Sequence, residues 1–178
     1  MQDRQVFINM IKPECIKDGN NNKILPSIIA ALAIVESDYG NGYLSMSTMN
    51  IFSLTVGDNW FKKCYSKNTK KTYDSVKDCH ELGSILYRVY NNYNESILDF
   101  VNYLSNARRS KNGPYKYESI KGCLDFKESI NRLIRAGFMK DYLNKYEDPD
   151  YAQKLVTIIE DYKLYKWDED LKNTLREV

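Results

Sequence analysis

The sequence has few of the residues on which several common kinds of site depend. Its 178 residues include one histidine, His80, and four cysteines, Cys15, Cys64, Cys79 and Cys123, with no C-x-x-C spacing. That spacing argues against a structural zinc site, which needs closely spaced thiolate and imidazole ligands. A Ser-His-Asp or Cys-His site would have to use His80, and no G-x-S-x-G motif accompanies it. We therefore expect neither a metal site nor histidine-assisted nucleophilic catalysis.

Long apolar runs and a strong charge of one sign are also missing. The longest apolar stretch, Ile24–Val35, is shorter than the ~20 residues that cross a bilayer. The first residues, Met1–Arg4, are polar, so no secretion signal is expected. The chain has 26 basic and 24 acidic residues, whereas a DNA-binding protein usually has a larger basic excess. We expect no membrane insertion and no nucleic-acid partner, and the lysines at 62–63, 67 and 70–71 indicate a solvated surface or weak attraction to an anionic polymer.

The composition is that of an ordinary globular protein, with 43% hydrophobic and 28% charged residues. A chain of this length can bury a core without disulfides. The cysteines are therefore expected to be free thiols in that core, although three pairings would be possible if all were oxidised. No repeat or linker divides the chain, so we predict one domain over residues 1–178.

A helix is predicted from Ile24 to Glu36. Pro26 suits its first position, because the missing N–H has no intrahelical partner there. The segment is apolar on every face, which indicates a buried central helix. Gly40 is the predicted stop.

Three amphipathic helices are predicted in the C-terminal half. They cover about Glu95–Asn106, a segment from Asp125 to Gly137 with Glu128 completing a capping box, and a segment that starts at Asp148-Pro149. Their predicted buried faces hold Ile97, Val101 and Leu104; Phe126, Ile130, Leu133 and Ile134; and Leu155, Ile158, Ile159 and Tyr162.

The middle of the chain, from Asn50 to about Leu82, lacks the helical period. Ile51–Val56 and Thr72–Val76 are candidate strands, so we expect a small lobe beside a helical body. This segment is crowded with aromatic residues: Phe52, Trp60, Phe61, Tyr65 and Tyr73. They suit either the core of a small lobe or a cleft that binds a polysaccharide, because sugar rings pack their C–H faces on aromatic rings.

Two carboxylates are candidates for chemistry. Glu36 ends the apolar helix, where loss of hydration and the helix dipole would both raise its pKa and favour a general acid. The alternative is a solvated residue in an exposed last turn. Asp74, in the irregular lobe, is the candidate second carboxylate, because glycoside hydrolysis generally uses two. Spacing alone leaves open whether Asp74 faces Glu36 or lies in a surface turn.

Several segments, in order, resemble the glucosaminidase family of bacterial and phage cell-wall hydrolases (glycoside hydrolase family 73). Residues 25–40 are similar to the family pattern L-P-S-x-x-x-A-Q-A-x-x-E-S-x-W/Y-G, and residues 49–54 to N-N-L-F-G-I. Residues 136–138 and 148–159 resemble the closing A-G-Y and D-P-x-Y-A-x-K-L-x-x-I-I block. The likeness extends from about residue 6 to residue 168, with residues 139–147 as an insertion before the closing block.

The resemblance implies an α+β, mainly α, lysozyme-like fold: a helical body and a small β-lobe, about residues 51–82, flanking a substrate cleft. It implies an endo-β-N-acetylglucosaminidase that cleaves the β-1,4 bond after N-acetylglucosamine in peptidoglycan, without a cofactor. It places the general acid on Glu36. The family's second carboxylate is a glutamate in a T-x-E context, where this chain has Thr72-Tyr73-Asp74. Predicted substrate contacts are Asn50, Phe52, Trp60 and Tyr73, together with Tyr115 and Tyr117, either of which could be the tyrosine that lines the cleft in the family.

Alternatives remain at this stage. Asp74 could activate water, or the substrate's own 2-acetamido oxygen could relieve the charge that develops on the sugar. The same fold would also suit a muramidase, a lytic transglycosylase, or a non-catalytic wall-binding or virion module. Without a signal peptide, we expect delivery to the cell wall by a phage, release at lysis, or membership of a larger lysin or phage tail protein.

Overall fold

The computed structural model describes residues 2–57, 60–79, 84–138 and 150–177, which form a mainly helical body with a small sheet. His80, the predicted insertion 139–147 and the predicted helix start at Asp148-Pro149 lie outside these residues. Within them the helices are α1 Arg4–Asn22, α2 Pro26–Ser37, α3 Tyr43–Thr48, α4 Tyr93–Asn106, α5 Phe126–Arg135, α6 Tyr151–Asp161 and α7 Glu169–Arg176. Short 3₁₀ turns cover Val76–Asp78, Glu118–Ile120 and Leu164–Asp168.

Helix α2 is the centre of the body. Its residues from Pro26 to Ile34 are all buried, and it packs against α1, α5, α6 and the 3₁₀ turn Leu164–Asp168. Pro26 is its first residue, as predicted. The prediction of a buried central helix is therefore confirmed, and the physical reason is its apolar surface on every face.

The start of α2 is capped from a distant part of the chain. Leu25, at the N-cap position, has no side chain that can accept a hydrogen bond. Instead, Asp168 accepts hydrogen bonds from the Ser27 backbone N–H at 2.9 Å and from Ser27 Oγ at 2.7 Å. Asp168 is completely buried, and this burial raises its pKa to about 6.

The other predicted helices are confirmed where the structure describes them. Asp125 accepts a hydrogen bond from Glu128 N at 2.7 Å and caps α5, and Asn92 caps α4 through Glu95 N at 3.0 Å. Helix α1 was not predicted. Its buried face carries Phe7, Ile11 and Cys15 at intervals of four residues, and Pro13 lies inside the helix.

The β-lobe contains a three-stranded antiparallel sheet of β1 Cys64–Ser66, β2 Lys71–Tyr73 and β3 Leu86–Arg88, in the order β2-β1-β3. The predicted strand Ile51–Val56 is wrong: Thr55 makes only an isolated bridge to Tyr87. Of the predicted strand Thr72–Val76, only its first two residues are in β2. The lobe also extends beyond residue 82, because β3 completes the sheet.

An ion pair joins β3 to α4. Arg88 Nη1 lies 2.6 Å from Asp99 Oδ2, and the hydroxyl of Tyr90 donates to the same oxygen at 2.7 Å. Arg88 Nε also donates to the Thr55 carbonyl at 2.9 Å. These bonds fix the end of the sheet to the helical body.

No helix of the described residues is long and apolar enough to cross a membrane.

Candidate active site

Glu36 lies at the C-terminal end of α2, half-buried at the edge of the core. The hydroxyl of Tyr151, the first residue of α6, donates a hydrogen bond to Glu36 Oε1 at 2.8 Å. Tyr151 is itself only 2% exposed, so the donor is held by packing. The carboxyl group is thus oriented by the protein while part of it remains open to solvent. This arrangement suits a group that must meet a substrate in a fixed direction.

The turn after Glu36 has an unusual backbone. Asp38, Tyr39 and Gly40 have φ values of 48°, 55° and 75°, three consecutive residues in the left-handed region. Ser37 fixes the turn, because its Oγ donates to the Ala33 carbonyl at 2.6 Å and accepts from Gly40 N at 2.8 Å. Backbone strain of this kind is common where a site needs a defined geometry.

Tyr151 is a site residue that sequence analysis missed. It belongs to the segment 148–159 that resembles the family's closing block, so the signal was present as the tyrosine of D-P-x-Y-A. What the sequence could not show is that this tyrosine contacts a residue 115 positions earlier in the chain.

Asp74, the predicted second carboxylate, immediately follows β2. Its side chain is 90% exposed, and its Oδ1 lies 3.8 Å from Lys63 Nζ, another exposed group. At that separation and exposure the pair adds little to stability. Asp74 is therefore a solvated carboxylate at the edge of the β-lobe.

Asn50 and Phe52 are buried, so their predicted direct contact with substrate needs correction. The Asn50 side-chain amide donates to the carbonyls of Leu54 at 2.9 Å and Arg88 at 3.0 Å, and its Oδ1 accepts from Leu54 N at 3.0 Å. The Phe52 ring stacks on Phe100, with ring centroids 3.9 Å apart. Both side chains hold the segment before the β-lobe to the body and leave no surface for a sugar.

The two candidate tyrosines after α4 differ in exposure. Tyr117 is completely buried, its ring 6.0 Å from that of Phe138, which corrects its prediction as a direct substrate contact. Tyr115 is 37% exposed and lies between two cations, with Arg108 Cζ at 4.1 Å and Lys121 Nζ at 5.0 Å from its ring centre. Of these two tyrosines, only Tyr115 has a ring exposed enough to contact a ligand.

Trp60 and Tyr73 are half-buried. Trp60 lines a pocket of about 440 Å³ between the β-lobe and α4, together with Lys62, Tyr90, Glu95 and Asp99. Its ring nitrogen donates to the Lys63 carbonyl at 2.9 Å. The Tyr73 hydroxyl lies 3.3 Å from Thr69 Oγ1. Both rings keep some surface on which a saccharide could pack.

The four cysteines are free thiols, with Cys15, Cys64 and Cys123 buried and Cys79 half-buried. Over the described ranges no group of three His, Cys, Asp or Glu side chains is placed to hold a metal ion.

The family described as mannosyl-glycoprotein endo-β-N-acetylglucosaminidase matches residues 12–164, most of the chain. The chain belongs to this glucosaminidase family. It is therefore a glycoside hydrolase domain, as the resemblance of residues 25–40 predicted.

A curated relative supports the same assignment, and solved structures share the fold. Exo-glucosaminidase LytG of Bacillus subtilis is 28% identical over 95% of this glucosaminidase-family chain and 55% of its own length. The catalytic domain of the Listeria monocytogenes autolysin Auto has a TM-score of 0.63 at 22% identity, covering 93% of this chain and 87% of its own. The glycoside hydrolase domain of Salmonella typhimurium FlgJ has a TM-score of 0.64 at 20% identity, and the match covers 99% of this chain and 100% of that domain.

These structural matches confirm the predicted mainly helical fold with a small β-lobe. The chain spans between 25% and 55% of the length of the curated relatives that it matches. The relatives are therefore larger proteins in which the matched region is one part.

Proposed function

We propose that this chain hydrolyses peptidoglycan as an endo-β-N-acetylglucosaminidase, with Glu36 as the general acid. The observation on which the proposal rests is the half-buried Glu36 carboxyl at the end of the central helix, oriented by the Tyr151 hydroxyl at 2.8 Å. The family match supports the sugar specificity. The names of relatives, exo-glucosaminidase LytG and peptidoglycan hydrolase FlgJ of Vibrio parahaemolyticus, support the polymer.

In the proposed reaction Glu36 donates its proton to the glycosidic oxygen as the bond to the anomeric carbon breaks. The 2-acetamido oxygen of the same sugar attacks that carbon and relieves its positive charge. Water then opens the cyclic intermediate, and the proton that it loses returns to Glu36. The net change is one glycosidic bond and one water consumed, with a new hydroxyl on each product.

Asp74 is proposed to have an auxiliary electrostatic role rather than to act as a fixed base. Its 90% exposed side chain is surrounded by water, and a positioned base needs a held geometry. This exposure favours acetamido assistance over direct activation of water by Asp74. Replacement of Asp74 by Asn should therefore reduce the rate far less than replacement of Glu36.

The proposed substrate contacts are the rings that keep exposed surface, Trp60, Tyr73 and Tyr115. We assign Asn50, Phe52 and Tyr117 to the support of the cleft walls. The whole chain, residues 1–178, is proposed to act as one catalytic domain.

The decisive experiment replaces Glu36 by Gln, which removes the proton but keeps the shape of the side chain. We expect lysis of purified peptidoglycan to fall by at least about 10³-fold while binding to the same walls persists. The control is Glu118→Gln, since Glu118 is an exposed residue paired with Lys121 and should leave activity unchanged. Equal activity of the Glu36 variant would end the catalytic proposal and favour a non-catalytic wall-binding module.

The bond that is cut can be identified from the products. Digested peptidoglycan is reduced with borohydride and the reduced sugar is identified by mass spectrometry. Reduced N-acetylglucosamine supports the proposal, whereas reduced muramic acid indicates a muramidase and an anhydro sugar a lytic transglycosylase. Because LytG is named an exo-enzyme, the lengths of early products should also be measured: long fragments indicate internal cleavage.

The route to the wall is part of the proposal. We propose that the chain works within a larger lysin or phage tail protein, as an endolysin-type agent delivered by a phage or released at lysis. The greater length of its relatives supports this setting. Loss of turbidity when the protein is added to intact bacteria would support an antimicrobial use, and activity on purified walls alone would contradict it.

A further inference from the structure

Helix α3 exposes apolar side chains close to the candidate acid. Tyr43, Met46 and Met49 follow one another at intervals of three residues and are 59%, 59% and 37% exposed. A row of large exposed apolar side chains on a soluble protein commonly marks a binding surface. We call these three residues the α3 ridge.

The ridge is tied to the end of the catalytic helix. Gly42 N donates to the Ser37 carbonyl at 2.8 Å, so α3 begins directly beside the residue that follows Glu36. Standard backbone dimensions then limit the distance between the Cα atoms of Glu36 and Tyr43 to at most about 14 Å. Tyr43 is therefore within the reach of a glycan of a few sugar units bound at Glu36.

The ridge also contacts the β-lobe. The ring of Tyr43 lies edge-on to that of Tyr65 on β1, with centroids 6.4 Å apart and an interplanar angle of 61°. Tyr65 is only 5% exposed, whereas Tyr43 keeps most of its surface open. Tyr43 thus lies at the boundary between the helical body and the β-lobe, which is where a lysozyme-like fold places its substrate.

A cationic turn lies beside this ring. Lys70 Nζ is 5.9 Å from the centre of the Tyr43 ring. Lys67 lies in the same turn after β1, and Lys71 is the first residue of β2. None of the salt bridges formed by the described residues involves these three lysines. Their charge is therefore available to a ligand, and it complements an anion.

We infer that Tyr43 and Lys70 form a saccharide-binding subsite for a sugar that carries a carboxylate-bearing substituent. The ring packs against the apolar C–H face of the sugar, and the ammonium pairs with the carboxylate. Peptidoglycan supplies this combination through the carboxylates of the peptides attached to its lactyl groups, and an uncharged N-acetylglucosamine polymer does not. The inference rests on the proposed function, and it adds which residues would recognise the glycan chain of peptidoglycan.

The test measures binding by calorimetry in the Glu36→Gln background, so that no cleavage occurs. Two ligands are compared: soluble peptidoglycan fragments that keep their carboxylates, and uncharged N-acetylglucosamine oligomers. Tyr43→Ala should weaken the binding of both about fivefold, because both lose the stacking surface. Lys70→Gln should weaken only the carboxylate-bearing ligand, about threefold, and 0.5 M salt should remove that difference.

Matched controls separate the subsite from general surface effects. Val6→Ala removes a 51% exposed apolar side chain of α1, and Lys111→Gln removes an exposed lysine after α4; neither should change binding. Wild-type affinity in Tyr43→Ala overturns the subsite. Equal weakening of both ligands by Lys70→Gln overturns the charge selectivity.

The outcome for binding is independent of the outcome for catalysis. If Glu36→Gln kept full lytic activity, the general-acid proposal would fail, and the Tyr43 and Lys70 effects would then be measured as retention on insoluble walls after a contact too brief for cleavage. If Glu36→Gln abolished lysis but Tyr43→Ala bound normally, the subsite alone would fail.

Discussion

The hydroxyl of Tyr151 lies 2.8 Å from Oε1 of Glu36 and joins the first residue of α6 to the end of α2. The two residues are 115 positions apart in the chain, and the bond forms because both helices pack in the same core. A tyrosine hydroxyl donates one hydrogen bond, and here that bond fixes the direction of a carboxyl group. Tyr151 is a positioning residue in this assignment, since it acts through Glu36.

Replacing Tyr151 by Phe should lower kcat about tenfold and leave KM within twofold, because the lost bond holds the acid and not the substrate. Tyr162→Phe is the control: its hydroxyl bonds Tyr39 at 3.1 Å and not Glu36. A fall in kcat of the same size in both variants would contradict the positioning role.

The turn after the acid should depend on Gly40. Its φ is 75°, and an added Cβ would lie 2.8 Å from the Tyr93 hydroxyl and 2.9 Å from the Phe7 ring. Gly40→Ala should lower the free energy of unfolding by about 3 kcal/mol, from left-handed strain plus overpacking. Gly122 has a similar φ of 70° but nothing within 4 Å of such a Cβ, so Gly122→Ala should lose only about 1 kcal/mol. Urea unfolding of both variants measures the difference, and equal losses would show that the clash has no effect.

Asp168 should make stability depend on pH. Its pKa is raised by burial from 3.8 to about 6, so the folded state holds its proton more tightly than the unfolded state does. Stability from this group is complete below about pH 4 and is lost as the pH rises through about 6, by up to about 3 kcal/mol.

Asp168→Asn isolates this contribution. The amide oxygen can still accept from Ser27 N–H, and the amide nitrogen can donate to Ser27 Oγ, while the titrating proton is gone. The unfolding free energy of the natural protein minus that of the variant should therefore fall between pH 4 and pH 6.5. A difference that stays constant over this range would refute the titration of Asp168.

The ion pair between the β-lobe and the helical body should contribute more to stability than a surface pair of similar length. Arg88 and Asp99 are 2.6 Å apart with side chains 18% and 29% exposed, and Tyr90 shares the same oxygen. Asp99→Ala leaves a guanidinium and a hydroxyl without their acceptor and should lose about 2 kcal/mol. Glu160→Ala breaks the pair with Lys127, which has the length of 2.8 Å and side chains 49% and 57% exposed, and should lose under about 0.5 kcal/mol. Hydrogen exchange of the β1 and β3 amides should rise only in the Asp99 variant.

Sequence patterns predicted the elements whose local signals are strong. Pro26 and the uninterrupted apolar run specify α2, and Asp125 with Glu128 specifies the start of α5. Helix α1 escaped because its buried positions Phe7, Ile11 and Cys15 are separated by polar residues and Pro13 interrupts the pattern. The strands were misplaced because each is three residues long, too short for alternation to be read.

Site residues could be predicted only where the chemical type of a residue and a recognisable motif occur together in one segment of the sequence. Glu36 stands out because it is charged at the end of an apolar helix. The burial of Phe52 and Tyr117 could not be read from their types, because an aromatic ring suits a core and a sugar equally well. Tyr151 and Asp168 act across 115 and 141 positions, and such contacts are created by packing rather than by any local pattern.

The family match ends at residue 164, and Asp168 lies four positions beyond it. A shortened protein cut at that homology limit would keep every residue of α2, yet Ser27 in the first turn of this helix would lose the carboxylate that accepts from its backbone N–H and its hydroxyl. A domain shortened by sequence similarity should therefore retain the tail through at least Asp168, because this residue anchors the start of the helix that carries Glu36 at its end.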